Sequence, residues 1–172
     1  MGSRLHPLLL SLPAAVLAGV LLGSCLPPPS TPVNQAFRTI CVYKIYNDTS
    51  EESIPSVLQE RIIDGFSRDG RIIPVTDVEK ADGLLALKVQ KYFKDTLTWN
   101  PQMLPDRIHI GISVKLVLQN LATRQVLRQT VVEDSTNFNL FTEPISTEVE
   151  ARRDLLEDMA NRIVTITIEG FE

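Results

Sequence analysis

The sequence predicts an α+β fold, a two-layer sandwich of two amphipathic helices on one face of a mixed four- to five-stranded sheet, in the order β-α-β-β-β-β-α. Apolar and polar residues alternate over 106–121, as in a strand with one buried face. Two segments, 54–66 and 149–164, repeat apolar residues at the three- and four-residue spacing of a helix face. Two apolar helix stripes and one apolar sheet face bury one another most simply as two layers.

The first half of the domain predicts a strand, a helix and a second strand. Residues 37–46 are rich in β-branched and aromatic residues, and residues 49–52 fit a capping box. The helix that follows is expected to end at Gly70, which suits a left-handed cap. Residues 71–76 form a short strand, which Pro74 places at a sheet edge and which completes a right-handed βαβ crossover. The helix buries one stripe of apolar residues: Ile54, Val57, Leu58, Ile62 and Phe66.

The second half predicts three more strands and a second helix. The strands are expected at residues 83–93, 106–121 and 126–133. The last two are antiparallel because the link between them is short. Trp99 lies in a predicted loop over 96–105, and residues 134–145 are expected to be irregular. Residues 147–150 form a second capping box. They open a last helix whose end the sequence leaves open and whose apolar face is Val149, Leu155, Leu156, Met159, Ile163 and Val164.

Residues 1–24 have the layout of a secretory signal peptide, because Arg4 is their only charge and the apolar run from Leu8 to Leu22 has none. The run is short for a transmembrane helix, which needs roughly 20 apolar residues. It ends in Leu-Gly-Ser-Cys at Cys25, which resembles the lipobox of bacterial lipoproteins. The resemblance implies cleavage before Cys25 and covalent lipid on its thiol, with several acyl chains for stable anchoring. An ordinary membrane anchor with an incidental cysteine is the alternative.

Residues 25–36 form the predicted tether between the lipid and a domain over 37–172. The prolines among residues 27–32 favour an extended polyproline II chain. About a dozen such residues reach roughly 40 Å at most, which keeps the domain close to its membrane. Lipoproteins held at the inner membrane of enteric bacteria often have Asp after the cysteine. Leu26 stands there in this chain, so the resemblance favours the outer membrane, with the domain on the periplasmic side.

Composition excludes several classes of function. Removal of residues 1–24 leaves 148 residues, which suit one domain with a proper core. The net charge changes from −4 to −5 because Arg4 is lost, and a mildly acidic periplasmic protein is a poor candidate for binding nucleic acid. The chain has 2 cysteines, so with lipid on Cys25 no intramolecular disulfide is expected. Cys41 lies in an apolar run, which favours a buried structural thiol.

Residues for catalysis are few. His109 is the only histidine after residue 24, so no histidine cluster exists to hold a metal. The sequence has no phosphate-binding loop, nucleophile elbow or zinc-protease motif. The acidic residues near 51–52 and 148–150 lie in predicted first turns, where they complement the helix dipole. We therefore expect a protein that is not an enzyme, with no metal and no cofactor other than the covalent lipid on Cys25.

Five fragments, in this order and spacing, resemble the lipopolysaccharide-assembly lipoprotein family of LptE. They cover residues 46–49, 66–71, 80–83, 132–135 and 150–164. Their sequences are YNDT, FSRDGR, KADG, VEDS and EARRDLLEDMANRIV. The resemblance implies a partner role, since LptE-like proteins plug the lumen of the outer-membrane β-barrel LptD and help to place lipopolysaccharide in the outer leaflet.

Four basic residues are expected on the outward face of the sheet: Lys88, His109, Lys115 and Arg128. Of these, Lys88, Lys115 and Arg128 are the candidate contacts to lipopolysaccharide, because cations suit lipid A phosphates. Ordinary solvated strand residues are the alternative. Lys91 and Lys94 are expected near the predicted loop that holds the tryptophan. Three apolar residues either anchor contact with a barrel lumen or seal the core: Leu104, Phe138 and Phe141.

Two other functions stay open. Activators of peptidoglycan synthases of the LpoB type have a similar strand–helix–strand start and an Asn-x-Thr after the first strand. They tend to have longer tethers, suited to reaching through the cell wall. A structural envelope lipoprotein without lipid cargo is the third possibility.

Overall fold

The computed structural model describes residues 38–169, so the predictions for the signal peptide, for Cys25 and for the tether lie outside the described residues. The chain order is β-β-α-β-β-β-β-α, which confirms the α+β class with the first predicted strand split in two. A 3₁₀ turn at Val78–Lys80 precedes β4. The elements are β1 Thr39–Val42, β2 Tyr46–Asn47, α1 Ile54–Asp69, β3 Ile73–Val75, β4 Gly83–Trp99, β5 Pro105–Asn120, β6 Val126–Asn139 and α2 Glu148–Glu169.

One mixed sheet runs in the order β3-β1-β4-β5-β6, and β2 pairs with β4 beyond the end of β1. Strands β1 and β3 are parallel neighbours joined through α1, as the βαβ prediction requires. Strand β4 is parallel to β1 and β2, and antiparallel to β5. Strands β5 and β6 form a second antiparallel pair. The sheet is therefore parallel at one side and antiparallel at the other.

The predicted capping box at residues 49–52 is wrong, because α1 begins only at Ile54. Thr49 is hydrogen-bonded to Asn47 instead. The Thr49 hydroxyl donates to Asn47 Oδ1 over 2.8 Å and accepts the backbone N–H two residues on over 3.3 Å. Pro55 belongs in a first helical turn, where its missing N–H needs no partner. These local bonds close a turn before the helix and move its start along the chain.

Gly70 ends α1 as predicted. Its φ is 74°, in the left-handed region that glycine adopts without steric cost, and its N–H donates to the Phe66 carbonyl over 3.0 Å. The chain then enters β3, which is the edge strand of the sheet. The edge position predicted from Pro74 is confirmed, because an edge strand tolerates a residue that has no N–H to donate.

The antiparallel strands are longer than predicted. Strand β4 continues to Trp99 and β5 begins at Pro105, so the loop expected over 96–105 shrinks to the residues between them. Strand β6 likewise runs on through 134–139, where irregular chain was expected. Most side chains at 95–99 are exposed, so the alternation that marks a half-buried strand is absent there. Backbone pairing of β4 with β5 therefore continues past the last buried side chains of β4.

The core lies between the sheet and both helices, which confirms the two-layer arrangement. The six alternating apolar residues of β5, from Ile108 to Leu118, are each at most 3% exposed. The stripe predicted on α1 is also buried, with Val57 partly so. Phe138 joins this core from β6, which settles one of the three apolar residues in favour of sealing the core. Leu104 and Phe141 remain exposed.

The second capping box is confirmed at the start of α2. The Thr147 N–H donates to Glu150 Oε2 over 2.9 Å, and the Glu150 N–H donates to Thr147 Oγ1 over 3.2 Å. The predicted apolar stripe is buried except for Val149, which is 77% exposed in the first turn. The helix continues through the β-branched run to Glu169. There the Thr167 hydroxyl donates to the carbonyl one turn back over 2.8 Å, which lets threonine lie buried in a helix.

Candidate functional site

Two of the predicted cations lie side by side on the outward face of the sheet. Lys88 of β4 and Lys115 of β5 are directly opposite partners in the antiparallel register. Tyr46 of β2 pairs with Lys88 on its other side. Directly opposite side chains share a face and approach closely, so the two ammonium groups and the phenol form one cluster. Both lysines are partly exposed.

This cluster surrounds a shallow depression in the sheet. Its apolar floor comes from Ala86 and Val117, which pair across the two strands, and the two lysines also line the depression. A surface that combines an apolar floor with adjacent positive charges suits an amphiphile that carries an anionic group. The residues that line the depression are Tyr46, Ala86, Leu87, Lys88, Lys115 and Val117.

Asp48 limits the positive charge of the cluster. Its carboxylate lies 2.6 Å from Lys88 Nζ, and both side chains are about half exposed. The Asp48 N–H donates to the Val89 carbonyl over 2.9 Å, which fixes the aspartate at the end of β2. One carboxylate therefore stands beside two facing lysines. An anion that binds between the lysines must compete with Asp48 for Lys88.

A second group lies farther along the same face, around Phe93. The Phe93 and His109 rings lie 5.4 Å apart, and Lys91 Nζ lies 5.0 Å from the centroid of the Phe93 ring. His109 Nδ1 lies 2.8 Å from Asn137 Oδ1. Gly111 makes room beneath the ring, because a Cβ at Gly111 would lie 2.3 Å from Phe93 Cζ. This ring covers the bare backbone that the glycine leaves, as aromatic residues do for glycines in sheets.

A bulge in β4 decides which lysines join this face. The register shifts between Val89 and Lys91, so the side-chain alternation changes phase there. Lys91 then points outward, while Tyr92 and Lys94 lie on the helix side. Sequence reasoning placed Lys91 and Lys94 together near the tryptophan loop. The signal that it missed is the break in the alternation of Leu85, Leu87 and Val89, which Gln90 and Lys91 interrupt.

Lys94 belongs instead to an ion network under the start of α2. It pairs with Glu148, which also accepts from Arg152 over 2.9 Å. Arg152 reaches Glu51 over 2.8 Å and lies 5.2 Å from the centroid of the Tyr92 ring. The hydrogen bond from Lys94 is the main cause that lowers the pKa of Glu148. This network ties the loop before α1 to the second helix, so these acidic residues hold structure together.

Arg128 does not lie beside the two lysines, and its expected place on the outward face is wrong. The register pairs Arg128 with the core residue Leu118, next to an irregularity in the pairing. Opposite residues share a face, so Arg128 lies on the helix side. Strand β6 begins with two adjacent apolar residues, Val126 and Leu127. Its sequence therefore does not indicate which side chains face the helices. Contact between Arg128 and lipopolysaccharide stays a prediction.

Cys41 is buried, as expected. Burial raises the pKa of its thiol, with a smaller contribution from Asp77, so the reactive thiolate is disfavoured. Among residues 38–169 no group of three or more His, Cys, Asp and Glu residues is placed to hold a metal ion. Within the same range, neither helix combines the length and the apolar character that crossing a bilayer requires.

Solved structures with this fold come from several bacteria. A Xanthomonas campestris protein of the family DUF330 is 13% identical, with a TM-score of 0.60 over 82% of this chain and 89% of its own. An uncharacterized lipoprotein B from Nitrosomonas europaea is 12% identical, with a TM-score of 0.54 over 74% of this chain and 80% of its own. A PelC dodecamer from Paraburkholderia phytofirmans is 9% identical, with a TM-score of 0.54 over 79% and 91%.

No family model and no curated protein sequence matches this chain. At the identities of the three solved structures, the likeness shows a shared fold and nothing about activity. The chain therefore has the α+β fold that occurs in a bacterial lipoprotein and in PelC.

Proposed function

We propose that this protein is a lipid-anchored lipoprotein of the Gram-negative envelope that acts by binding. Its proposed partner is a large outer-membrane β-barrel of the LptD type, whose lumen it plugs, and its proposed cargo is lipopolysaccharide. Lipid on Cys25 would hold the domain at the periplasmic side of the outer membrane. The lipobox, the short tether and the fold shared with a lipoprotein support this proposal.

The observation that carries the proposal is that LptE-like fragments coincide with hydrogen-bonded corners of the fold. In the fragment KADG, the Asp82 carboxylate accepts the N–H groups of Arg38 and Thr39 over 3.0 and 3.1 Å. In the fragment FSRDGR, the Arg71 N–H donates to the Asp69 side chain over 3.2 Å beyond the Gly70 cap. These hydrogen bonds give the LptE-like fragments a structural role in this fold, which supports the proposal.

The outward face supports a role in binding lipopolysaccharide. Lys88 and Lys115 supply ammonium groups for phosphate, and the apolar floor beside them suits an acyl chain. The lumen of a large β-barrel is commonly polar, and the polar residues that surround this face suit such an environment. A binding role, without catalysis, also agrees with the burial of Cys41 and with the side-chain contact that occupies His109.

A pull-down from native membranes tests the partner. The mature lipoprotein is captured after mild solubilisation, and its bound proteins are identified and quantified. A stoichiometric large β-barrel supports the proposal, and a peptidoglycan synthase in its place establishes the rival function. The Cys25→Ser variant is the control for localisation, since it should lose the outer-membrane fraction while retaining its fold.

Titration with lipopolysaccharide tests the cargo. Replacing Lys88 and Lys115 by Gln should weaken the binding of lipopolysaccharide to the purified protein by about tenfold. This is the effect expected from the loss of two charge-assisted contacts in water. Lys80→Gln is the matched control, because the Lys80 side chain is 78% exposed outside the cluster. Equal affinity in the double variant and the control would remove the two lysines from the binding surface.

A further inference from the structure

One end of the domain exposes an unusual concentration of large apolar side chains. It consists of the end of β4 from Leu97, the turn that joins β4 to β5, and the loop that follows β6, which together we call the apolar tip. Monomeric surfaces rarely gather such residues without a function. The exposed side chains are Leu97 at 49%, Trp99 at 56%, Met103 at 76%, Leu104 at 49%, Phe141 at 56% and Ile145 at 57%.

Asp106 holds the two segments of the apolar tip together. The Leu140 N–H donates to the Asp106 carbonyl over 2.8 Å. The Asp106 carboxylate accepts the N–H groups of Phe141 and Thr142 over 3.2 and 3.1 Å, and the Thr142 hydroxyl over 2.6 Å. The Asp106 carboxylate is therefore hydrogen-bonded within the protein, and these bonds hold the loop beside the β4–β5 hairpin.

Backbone N–H and carbonyl groups of the hairpin turn are hydrogen-bonded within the turn itself. Asn100 Oδ1 accepts the N–H groups of Gln102 and Leu104 over 3.0 and 2.9 Å. The Asn100 N–H donates to the Leu104 carbonyl, and the Met103 N–H donates to the Asn100 carbonyl, each over 2.9 Å. The sequence from Leu97 to Leu104 carries no charged residue. A turn with paired donors and no charge leaves water at low cost.

We propose that the apolar tip inserts into the interfacial region of a phospholipid bilayer. Tryptophan favours that region, and exposed Leu, Met and Phe side chains gain from contact with acyl chains. The turn is uncharged and its backbone groups are paired, as entry into lipid requires, so these observations favour a bilayer over a second copy of the chain. The proposal needs neither the lipid on Cys25 nor the barrel, and it describes the domain when no partner covers the tip.

Fluorescence of Trp99 tests the insertion directly, because it is the only tryptophan in the chain. The sample is the mature chain from residue 25 with Cys25→Ser, so that no acyl chain carries it to the membrane. The probe is a phosphatidylcholine vesicle, whose neutral surface does not attract the cations of the sheet. We expect a blue shift of the emission and quenching by brominated acyl chains. An unshifted, unquenched emission would overturn the proposal, and it would leave the pull-down result for the barrel unaffected.

Matched variants separate insertion from unfolding. Met103 has a φ of 58°, a left-handed conformation that asparagine tolerates, so Met103→Asn removes an apolar side chain and retains the turn. We expect partitioning into vesicles to fall by about tenfold, the factor for one large apolar side chain. Val126→Asn is the control, since Val126 is 50% exposed at the opposite end of the sheet. An unchanged partition for Met103→Asn, or an equal loss for Val126→Asn, would contradict the proposal.

Discussion

Replacing Asp48 by Asn should strengthen the binding of an anion to the outward face. Asp48 lies 2.6 Å from Lys88, which in turn faces Lys115 across the strand pair. The variant removes the competing carboxylate and leaves the backbone N–H of residue 48 able to donate to Val89. The net charge of this cluster rises from one positive charge to two, while its shape stays the same.

The magnitude follows from the exposure of the pair. The Lys88 and Asp48 side chains are 44% and 51% exposed, so their ion pair contributes between about 0 and 1 kcal/mol to stability. The two lysines then repel by a similar amount, roughly 0.2–1 kcal/mol. Together these two effects should cost the folded state no more than about 2 kcal/mol. A bound phosphate should gain about 1 kcal/mol from the unpaired charge at contact distance in water, which is about a fivefold rise in affinity.

Isothermal titration of the mature chain with lipid A, in its phosphorylated and dephosphorylated forms, measures this effect. The rise in affinity should occur only with the phosphorylated form and should disappear near 1 M salt, where the Debye length is about 3 Å. Asp48→Glu is the matched control because it retains the carboxylate. If Asp48→Asn binds phosphorylated lipid A no more tightly than the wild type, the two lysines do not hold the phosphate.

Three further predictions concern stability. A Cβ at Gly65 would lie 2.9 Å from Val164 Cγ2, so Gly65→Ala should lose up to about 2 kcal/mol in urea unfolding. Val164→Ala in the same chain should restore part of that loss, and a gain of about 1 kcal/mol in the single variant would show that the helices do not touch there. Thr147→Ala should cost about 1 kcal/mol in thermal or urea unfolding, because it removes the N-cap of α2; an unchanged midpoint would show that the cap contributes nothing. The N–H group of Arg38 is the main cause that lowers the pKa of Asp82 in the folded state. The stability from this pKa difference is therefore present above the unfolded pKa near 4 and is lost as the pH falls through the folded pKa. Asp82→Asn should abolish that part of the acid dependence in unfolding measured against pH, and an unaltered pH profile would contradict it.

The sequence predicted those parts of the fold where burial imposes a period. Residues that face one core must be apolar at the period of their strand or helix. This holds for the alternation from Ile108 to Leu118 and for the stripe of α1, which are both buried as expected. The same reasoning failed at 95–99, where every side chain is exposed and backbone pairing sustains the strand. It failed also at 134–139, where Phe138 is the only apolar residue and no period of apolar residues could be read. It also failed at Val149, which has the right spacing but is exposed in the first turn of α2.

The candidate site was predictable only in part, because it depends on the phase of the alternation along each strand. Lys88 and Lys115 both lie in well-alternating segments, and their meeting follows from the register. The outward position of Lys91 depends on the bulge after Val89, which moves the side chains from Lys91 to Thr96 to the other face. Arg128 lies at an irregularity of β6, where no period could be read. The sequence thus predicts which face of the sheet a side chain occupies only as far as the first bulge of its strand.

Arg38 and the apolar tip lie at opposite ends of β4, which constrains how the domain meets a membrane. Arg38 lies near the Gly83 end of β4, and Trp99 lies at the other end, roughly 50 Å away at about 3.3 Å per residue. The proposed tether places Arg38 within roughly 40 Å of the anchoring bilayer. If the lipid on Cys25 and the tip occupy the same bilayer, β4 is inclined by no more than roughly 50° to the membrane plane. An upright domain would instead direct the tip away from the anchoring membrane, so the vesicle experiment and the lipid anchor together define which orientation is possible.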